Sequence, residues 1–527
     1  MAQKLATPGV YVEEKNAFPS SVVAVSTAVP AFIGYTEKVT SNGQSLVNTP
    51  VRISSLSEFI NMFGEGFKSN FAIEETTGEG FDFEVDGKTY DVVPENASRF
   101  LLYDSIRLFF ANGGNVCYIV SAGSIYKKVQ VQKSTTGKDD KGKATVEKTT
   151  QTENKPAAIS KKALEAALQT LVGEQEPTMV VIPEAVMLER QDCAALQQAM
   201  LQHCGTELKN RFAILDVYEG HKPRTYDSKD VVTAFREDIG NNFLNFGAAY
   251  YPWVRTSVVQ SDELDYTNIS NADMLIDLLE KEAKERFQDS KKVDEIKNEV
   301  KKMKDSSTDV ESLHQTLNAI SSVYKSVLNS IRKQLNILPP SAGMAGVYTM
   351  VDSTRGVWKA PANVGYNSVV TPAVKITNQD QEDLNVTVSG KSVNAIRAFA
   401  GEGILVWGAR TLEGNSKDWR YVNVRRTISF IEQSIKAAAR TYVFEPNAAS
   451  TWLLIRGMVN AFLSDLWTQG ALVGTTPEQA YEVHVGLGST MTTDDILDGI
   501  MRITVKVAVS RPAEFIVITF QQKMEEA

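Results

Sequence analysis

The strongest constraint on the fold is a repeated order of segments between residues 98 and 217. Three times, a stretch with helical spacing of its apolar residues is followed by a stop and a short, continuously apolar run. The pairs are residues 98–111 before 116–120, residues 162–171 before 179–182, and residues 191–203 before 212–217. Chains that alternate helices with buried strands in this way form sheets covered by helices. The pattern therefore predicts an α/β protein (α+β mixed) with helix-covered sheets.

The remaining segments predict a multi-domain chain with an extended, strand-forming arm at each end. Its 527 residues are enough for several domains. Residues 1–21 are an N-terminal arm with strand character, and residues 511–527 are a C-terminal arm that begins with a β-rich run. Between the arms, we expect an outer α/β domain at residues 22–338 and a second globular unit at residues 339–510. The strands predicted in this second unit are residues 404–409, 481–485 and 500–509.

Three insertions are expected in the outer domain. Residues 66–95 are rich in glycine and acidic residues, which is typical of a surface hairpin. Residues 123–158 are dominated by Lys, Thr, Gln, Asp and Gly, and this composition predicts an exposed, mobile segment. Residues 257–337 contain apolar residues at alternating spacings of three and four, which predicts a helical hairpin or short coiled coil that protrudes from the body.

Composition argues against several classes of function. The net charge of −9 argues against a nucleic-acid-binding protein, which usually presents a basic face or tail. The chain begins without the apolar segment of a secretory signal, and no stretch approaches the ~20 apolar residues of a membrane span, so a soluble protein is expected. The cysteines Cys117, Cys193 and Cys204 show no CxxC spacing, which argues against disulfide and zinc frameworks and fits a reducing compartment.

Candidate catalytic motifs fail on their spacing or their context. The triplet Gly87-Lys88-Thr89 lacks the earlier glycine of a phosphate-binding loop, because Asp82 occupies that position, and a hairpin turn is the favoured interpretation. The four histidines lie in separate segments without HxxxH or HExxH spacing, so a metal site is not indicated. The sequence therefore predicts neither an enzyme nor a protein with a cofactor or metal.

Several segments resemble the contractile tail sheath proteins of phages and of phage-derived injection systems. The resemblance is carried by TPGVYVEE (7–14), AFIGYTE (31–37), FFANGGNVCYIV (109–120), FAILDV (212–217), AAYYPWV (248–254), PPSAGMAGVYTMVDSTRGVWKAPAN (339–363), GEGILVWGARTL (401–412), WRYVNVRR (419–426) and RPAEFIVITF (511–520). It identifies residues 339–510 as the sheath core domain. The three insertions depart from it and look like lineage-specific decorations.

The resemblance implies a structural protein that forms hexameric rings, stacked helically around an inner tube, and contracts to drive the tube through a target envelope. The implied partners are other copies of the chain, the inner tube protein, and the baseplate and terminal cap proteins. Neither nucleic acid nor direct membrane insertion is implied. The expected location is the bacterial cytoplasm during assembly, and then a phage tail or an extracellular or membrane-anchored injection particle.

The resemblance and the strand character of the arms together suggest which residues make assembly contacts. An extended arm can add a strand to the open edge of a sheet in a neighbouring copy. The candidate exchange residues are Val10, Tyr11, Val12, Phe515, Ile516, Val517, Ile518 and Phe520. The candidate tube-facing residues are basic side chains of one predicted helix, Arg425, Arg426, Lys436 and Arg440, for which a solvated helix face is an equally favoured alternative.

Two other functions stay open at this point. A non-contractile shell or tube protein of a related particle would have the same structural role without the stroke. An enzyme carried by such a particle, for example a cell-wall hydrolase, would need a constellation of acid, base or metal ligands. No such constellation was found in the sequence.

Overall fold

The structure is a computed structural model that describes residues 22–519, except residues 79, 96–98, 139–143, 228 and 306. The chain divides into two compact units. Among the described residues, unit 1 joins residues 22–26 to residues 427–519, and unit 2 is Thr27–Arg426. The N-terminal arm predicted at residues 1–21 lies outside the described residues.

The strands and helices are numbered in chain order. The strands are β1 (Pro30–Thr36), β2 (Thr40–Ser41), β3 (Gln44–Ser45), β4 (Pro50–Ile53), β5 (Phe71–Thr76), β6 (Phe83–Val85), β7 (Lys88–Pro94), β8 (Cys117–Ser124), β9 (Tyr126–Lys138), β10 (Ala144–Pro156), β11 (Met179–Val181), β12 (Phe212–Asp216), β13 (Gly247–Tyr251), β14 (Val254–Thr256), β15 (Ile337–Leu338), β16 (Val364–Gly365), β17 (Val369–Pro372), β18 (Asn394–Phe399), β19 (Gly403–Trp407), β20 (Tyr481–Val485) and β21 (Ile503–Val507). The helices are α1 (Leu56–Phe63), α2 (Leu102–Ala111), α3 (Lys161–Thr170), α4 (Arg190–Gln202), α5 (Val231–Asp238), α6 (Ala272–Arg286), α7 (Ser290–Lys301), α8 (Val310–Ile320), α9 (Ser322–Leu335), α10 (Ser341–Arg355), α11 (Asn378–Asn385), α12 (Val422–Ala439), α13 (Ala449–Thr468), α14 (Pro477–Ala480) and α15 (Thr493–Leu497). All three helix–strand pairs of the repeated pattern are present, as α2–β8, α3–β11 and α4–β12.

A nine-stranded sheet organises unit 2. Its strand order is β16-β19-β18-β13-β12-β11-β1-β8-β4. Neighbours from β18 to β8 run parallel, whereas β19, β16 and β4 are antiparallel additions at the edges. Strands β1, β12 and β13 are buried along their whole length, so this sheet needs cover on both faces. Helices α2 and α10 pack together against β1, β11 and β12, and helices α3 and α4 pack together against β1, β8 and β12. The predicted α/β (α+β mixed) fold class is confirmed.

A buried carboxylate joins the sheet to helix α2. Glu184 follows β11 and is completely buried. Its Oε1 accepts hydrogen bonds from the backbone N–H groups of Leu101 (3.1 Å) and Leu102 (3.2 Å) at the start of α2. Its Oε2 accepts a hydrogen bond from the N–H group of Tyr35 in β1 (2.8 Å). The carboxyl group thus satisfies N–H groups that the first turn of a helix leaves unpaired, and it fixes α2 against the sheet.

The insertions predicted at residues 66–95 and 257–337 form one small module instead of two separate decorations. Strands β5, β7 and β6 form an antiparallel sheet, and helices α6 and α9 pack against it. This module has its own apolar cluster, separate from that of the nine-stranded sheet. The side chain of Asn271 bonds both the N–H group (3.0 Å) and the C=O group (2.8 Å) of Ile73, which joins the two segments. The insertion predicted to be helical is present as α6–α9, and two of its helices, α6 and α9, pack against the sheet from the other insertion.

The hairpins β6–β7 and β9–β10 lie in two segments for which the sequence made predictions. Gly87 lies in the turn between β6 and β7, where Asp86 and Gly87 have φ angles of 53° and 69°, so the interpretation of its motif as a hairpin turn is confirmed. Inside the segment predicted to be mobile, at residues 123–158, β9 and β10 pair antiparallel along their whole length. Valine and threonine, which favour extended structure, are frequent in both strands. The prediction of a mobile segment rested instead on the low overall hydrophobicity of these residues.

The domain boundary expected between residues 338 and 339 does not coincide with a division of the structure. Strand β18 pairs with β13, which places residues 394–407 in the same sheet as the strands before residue 338. The two units divide at Thr427 instead, within the range of α12. Sequence patterns locate strands without showing which sheet each strand joins, so they do not indicate this pairing.

Replacing Glu184 by glutamine should change how stability depends on pH. Burial raises the pKa of Glu184 from its ordinary 4.5 to about 8, although the three N–H donors lower it. Because the folded pKa lies above the unfolded one, the stabilisation from Glu184 is complete below about pH 4.5 and is lost as the pH rises toward 8. We expect the wild type to lose its advantage over Glu184→Gln across this range in urea unfolding followed by tryptophan fluorescence. The exposed Glu189→Gln is the control, and a pH-independent difference for Glu184→Gln would contradict the prediction.

Candidate functional site

The described residues contain no grouping typical of a catalytic centre. Among them, no cluster of three or more His, Cys, Asp or Glu side chains could hold a metal ion. Cys117, Cys193 and Cys204 are buried, and burial raises the pKa of the Cys117 and Cys193 thiols, which disfavours a reactive thiolate. None of the helices in the described ranges combines the length and apolar character needed to span a bilayer. The remaining candidates for a functional surface lie in unit 1. They are a two-stranded sheet, an exposed apolar run and two basic side chains.

Unit 1 contains a two-stranded antiparallel sheet of β20 and β21. Apolar and polar residues alternate in both strands, so their register gives the sheet one apolar and one polar face. The apolar face consists of Tyr481, Val483, Val485, Ile503, Val505 and Val507. Val483 is buried, and helix α13 packs against β20. On the polar face, Lys506 Nζ lies 3.0 Å from a carboxylate oxygen of Glu482. The ribbon therefore has a covered side and a solvated side, as a sheet on a helix requires.

Both outer edges of this ribbon are open in the part of the chain that the structure describes. No strand there pairs with the far side of β20 or of β21. An isolated bridge between Leu472 and Val509 lies beyond the end of β21. A two-stranded ribbon is only marginally stable in water, and an open edge exposes rows of backbone N–H and C=O groups. The ribbon can therefore accept further strands on either side.

The C-terminal run follows this ribbon along the chain and forms no strand of its own. Residues 511–519 have no regular secondary structure. The side chains of Phe515, Ile516, Val517 and Ile518 are 70%, 79%, 88% and 70% exposed. Each such side chain gains ~1.5–3 kcal/mol when it is buried, and consecutive exposed ones mark an interaction surface. The other candidate exchange residues, Val10, Tyr11, Val12 and Phe520, lie outside the described residues.

Arg425 and Arg426 do not lie on an exposed basic surface. Arg425 is buried, with its guanidinium carbon 4.3 Å from the ring centroid of Trp419 and 4.8 Å from that of Phe246. Arg426 is also buried and forms a two-point ion pair with Asp352, at 2.9 Å for Nη1–Oδ1 and 2.6 Å for Nη2–Oδ2. Both side chains contact residues of unit 2 that are distant in sequence. Arg425 and Arg426 were predicted to belong to a tube-facing patch, but their burial removes them from the exposed surface of the subunit.

Lys436 and Arg440 are exposed. Lys436 lies in the last turn of α12, and Arg440 begins the following 3₁₀ turn at Arg440–Tyr442. Residues four positions apart on a helix share a side, and positive charge near a helix C-terminus is favourable in itself. Of the four basic residues predicted to form a patch, this pair presents its charge to solvent.

Sequence reasoning found the strands of the ribbon but not the open edges that the described residues leave on it. Strand β20 begins and ends where it was predicted, at residues 481–485, and β21 lies within the predicted 500–509. The alternation in YEVHV and ITVKV is a usable signal, because it describes a sheet with one covered face. Whether such a sheet has open edges depends on strand number, which the sequence pattern does not contain.

Comparison with known proteins places this chain in a family. Residues 157–412 match the family model of the phage tail sheath protein central domain, and residues 415–523 match that of the phage tail sheath C-terminal domain. The tail sheath protein of Salmonella phage ViI is 28% identical over 149 residues, which are 28% of this chain and 23% of that protein. This alignment therefore spans less than a quarter of the length of that curated relative.

Two solved structures are similar over nearly the whole chain. A chain in the six-fold symmetrised cryo-EM structure of the anti-feeding prophage baseplate is 27% identical, with a TM-score of 0.58, and the match covers 99% of this chain and 100% of that one. A chain in the contracted PVC sheath complex, an extracellular contractile injection system, is 26% identical, with a TM-score of 0.57 and 99% coverage of both chains. With both sheath domain models matched and the fold shared along its length, this chain belongs to the phage tail sheath family.

Proposed function

We propose that this chain is the structural subunit of a contractile sheath. In the proposal, copies polymerise as stacked hexameric rings around an inner tube and shorten to drive that tube through a target envelope. The observation that carries it is that the described part of one subunit contains both a ribbon with two open edges and an exposed apolar run. The likeness to a sheath complex in its contracted state supports the same role.

Strand exchange explains how the copies are joined. The C-terminal run of one copy and the N-terminal arm of another add strands to the open edges of β20 and β21. Each added strand makes several backbone hydrogen bonds, with a net value of ~1 kcal/mol apiece, and buries apolar side chains that are exposed in the single subunit. The donated run and the receiving edge are different surfaces, so the contact repeats into a helical polymer and does not close into a dimer.

Contraction requires links that persist while the linked bodies move. A strand held by backbone hydrogen bonds keeps neighbouring copies connected while their folded units rotate between two packings. The free-energy difference between these packings adds over all copies, so a modest difference per subunit drives the stroke. Electron micrographs with a long-thin and a short-wide polymer are the expected result, and a single length and diameter would favour a non-contractile shell or tube instead.

The proposal assigns further contacts outside the sheath itself. Lys436 and Arg440 contact an acidic surface of the inner tube in the extended state, because they are exposed and lie on one side of the chain. Baseplate and terminal cap proteins are the other partners, and one similar chain comes from a baseplate structure. Assembly takes place in the bacterial cytoplasm, before the particle acts as a phage tail or as an extracellular or membrane-anchored injector.

Proline in the C-terminal run should abolish polymerisation without unfolding the subunit. Proline lacks an N–H group, and loss of one ladder bond together with the steric conflict is expected to weaken each contact about tenfold. Adjacent strand residues point their N–H groups to opposite sides, so Ile516→Pro and Val517→Pro together cover both registers. We expect normal circular dichroism but few long sheaths in negative-stain micrographs. The matched control Val517→Ala should assemble, and normal assembly of both proline variants would contradict strand exchange by this run.

Deletion of residues 1–20 tests the other arm. We expect folded subunits that elute as a single species in size-exclusion chromatography and do not form long sheaths, because one of the two donated strands is missing. A deletion of residues 1–6, which keeps Val10, Tyr11 and Val12, is the control and should still assemble. Sheaths of normal length from the longer deletion would refute a role for these residues.

Charge reversal tests the tube contact. Lys436→Glu combined with Arg440→Glu should raise the subunit concentration needed to coat purified tubes by at least about tenfold at low salt, because attraction becomes repulsion. Co-sedimentation with tubes measures the effect. The charge-preserving pair Lys436→Arg with Arg440→Lys should coat tubes normally, and unchanged coating by the reversed variant would exclude the contact.

A further inference from the structure

The chain connects the two units twice, and both connections start from residues that are bonded to each other. One connection leaves unit 2 at Thr27 and the other leaves it at Arg426. Arg426 Nη2 donates a hydrogen bond to the backbone C=O group of Thr27 at 2.9 Å, although the two residues are 399 positions apart. The ends of both connections therefore meet at one guanidinium group within unit 2.

The guanidinium group of Arg426 is held on several sides. Its two-point ion pair with Asp352 is almost fully buried, with side-chain exposures of 4% and 3%. Its carbon atom lies 4.8 Å from the ring centroid of Tyr348. Asp352 and Tyr348 both belong to α10, the helix that packs on β11 and β12. Arg426 is thus fixed, through α10, to the nine-stranded sheet.

Thr27 has a second hydrogen-bond donor that does not involve Arg426. The hydroxyl group of Thr178 donates to the Thr27 C=O group at 2.8 Å and accepts from the N–H group of Val29 at 2.9 Å. Thr178 immediately precedes β11, so this bond holds Thr27 to the sheet. Loss of Arg426 would leave the Thr27 carbonyl group satisfied, but would separate it from α12. The role of Arg426 is therefore the joining of two connections, which Thr178 cannot perform.

We propose that Arg426 is the shared anchor of the two connections, a positioning residue that holds the segment beginning at Thr27 to helix α12. Through Asp352 and α10, the same side chain fixes both segments to the nine-stranded sheet. A structural ion pair without this role would stabilise unit 2 as a whole. When the Arg426–Asp352 pair is removed, the two interpretations predict faster hydrogen exchange of backbone amides in different segments of the chain.

The test replaces Arg426 and Asp352 together by apolar residues of similar size, Arg426→Met with Asp352→Leu, in the full-length subunit. Removal of both charges avoids an unpaired buried carboxylate, which would unfold the protein for another reason. Hydrogen exchange read by mass spectrometry should be at least about fivefold faster in peptides covering residues 22–29 and unchanged in peptides covering β12 and β13. Arg425→Met is the matched control, because it lies one position away and contacts aromatic rings instead of Thr27; its exchange at 22–29 should equal that of the wild type.

A second variant keeps the buried charge. Arg426→Lys can pair with Asp352, but a single ammonium group cannot replace a two-point ion pair and also reach Thr27, so it should show the same local acceleration. Wild-type exchange at residues 22–29 in both variants would overturn the proposal, and so would acceleration of equal size in β12 and β13. The measurement uses unassembled subunits, so its outcome is independent of whether the chain forms a contractile sheath.

Discussion

The parallel strands at the centre of unit 2 require cover on both faces, and most of this unit follows from that requirement. Strands without polar faces must be enclosed, so helices lie on either side and their ends meet the ends of the strands. Two buried carboxyl groups determine which helix start lies at which strand end. Glu184 accepts from the start of α2, and Asp216, at the end of β12, accepts from the N–H group of Ser341 at the start of α10 (2.8 Å). Burial raises the pKa of Asp216 to about 7.

Unit 1 is built on the opposite principle. Its ribbon of β20 and β21 is too narrow to enclose anything, and the apolar run after it is left in water. A protein that acts alone would gain stability by folding that run onto its own open edge. Under the proposed function, other copies supply the contacts that this run lacks among the described residues. The open ribbon and the exposed run would then be two halves of one assembly contact, and the completed sheet of unit 2 would be the rigid body that the contact connects.

Local structure was largely predictable from the sequence, whereas long-range relations were not. Apolar spacing predicted the three helix–strand pairs and the exact range of β20, because periodicity depends only on neighbouring residues. The same reasoning placed a domain boundary after residue 338, since nothing local shows that β18 pairs with β13. Arg425 and Arg426 illustrate the same limit. They share a helix with Lys436, but Phe246 and Asp352, which enclose them, are separated from them by long stretches of chain. The resemblance to sheath proteins identified the family without indicating either of these long-range relations.

Unit 1 is formed by two segments that are far apart in the sequence, and this determines when it can fold during synthesis. Among the described residues, this unit combines residues 22–26 with residues from Thr427 onward, which are synthesised about 400 residues later. The N–H group of Val25 donates to the hydroxyl group of Ser434 at 3.3 Å, a partner that is synthesised 409 residues later. Unit 2 is continuous in sequence and can fold during elongation, since domains generally form as their residues emerge. A nascent chain therefore cannot complete unit 1 before the residues beyond Thr427 have been made, and if unit 1 joins the copies as proposed, the order of the sequence itself delays that joining until then.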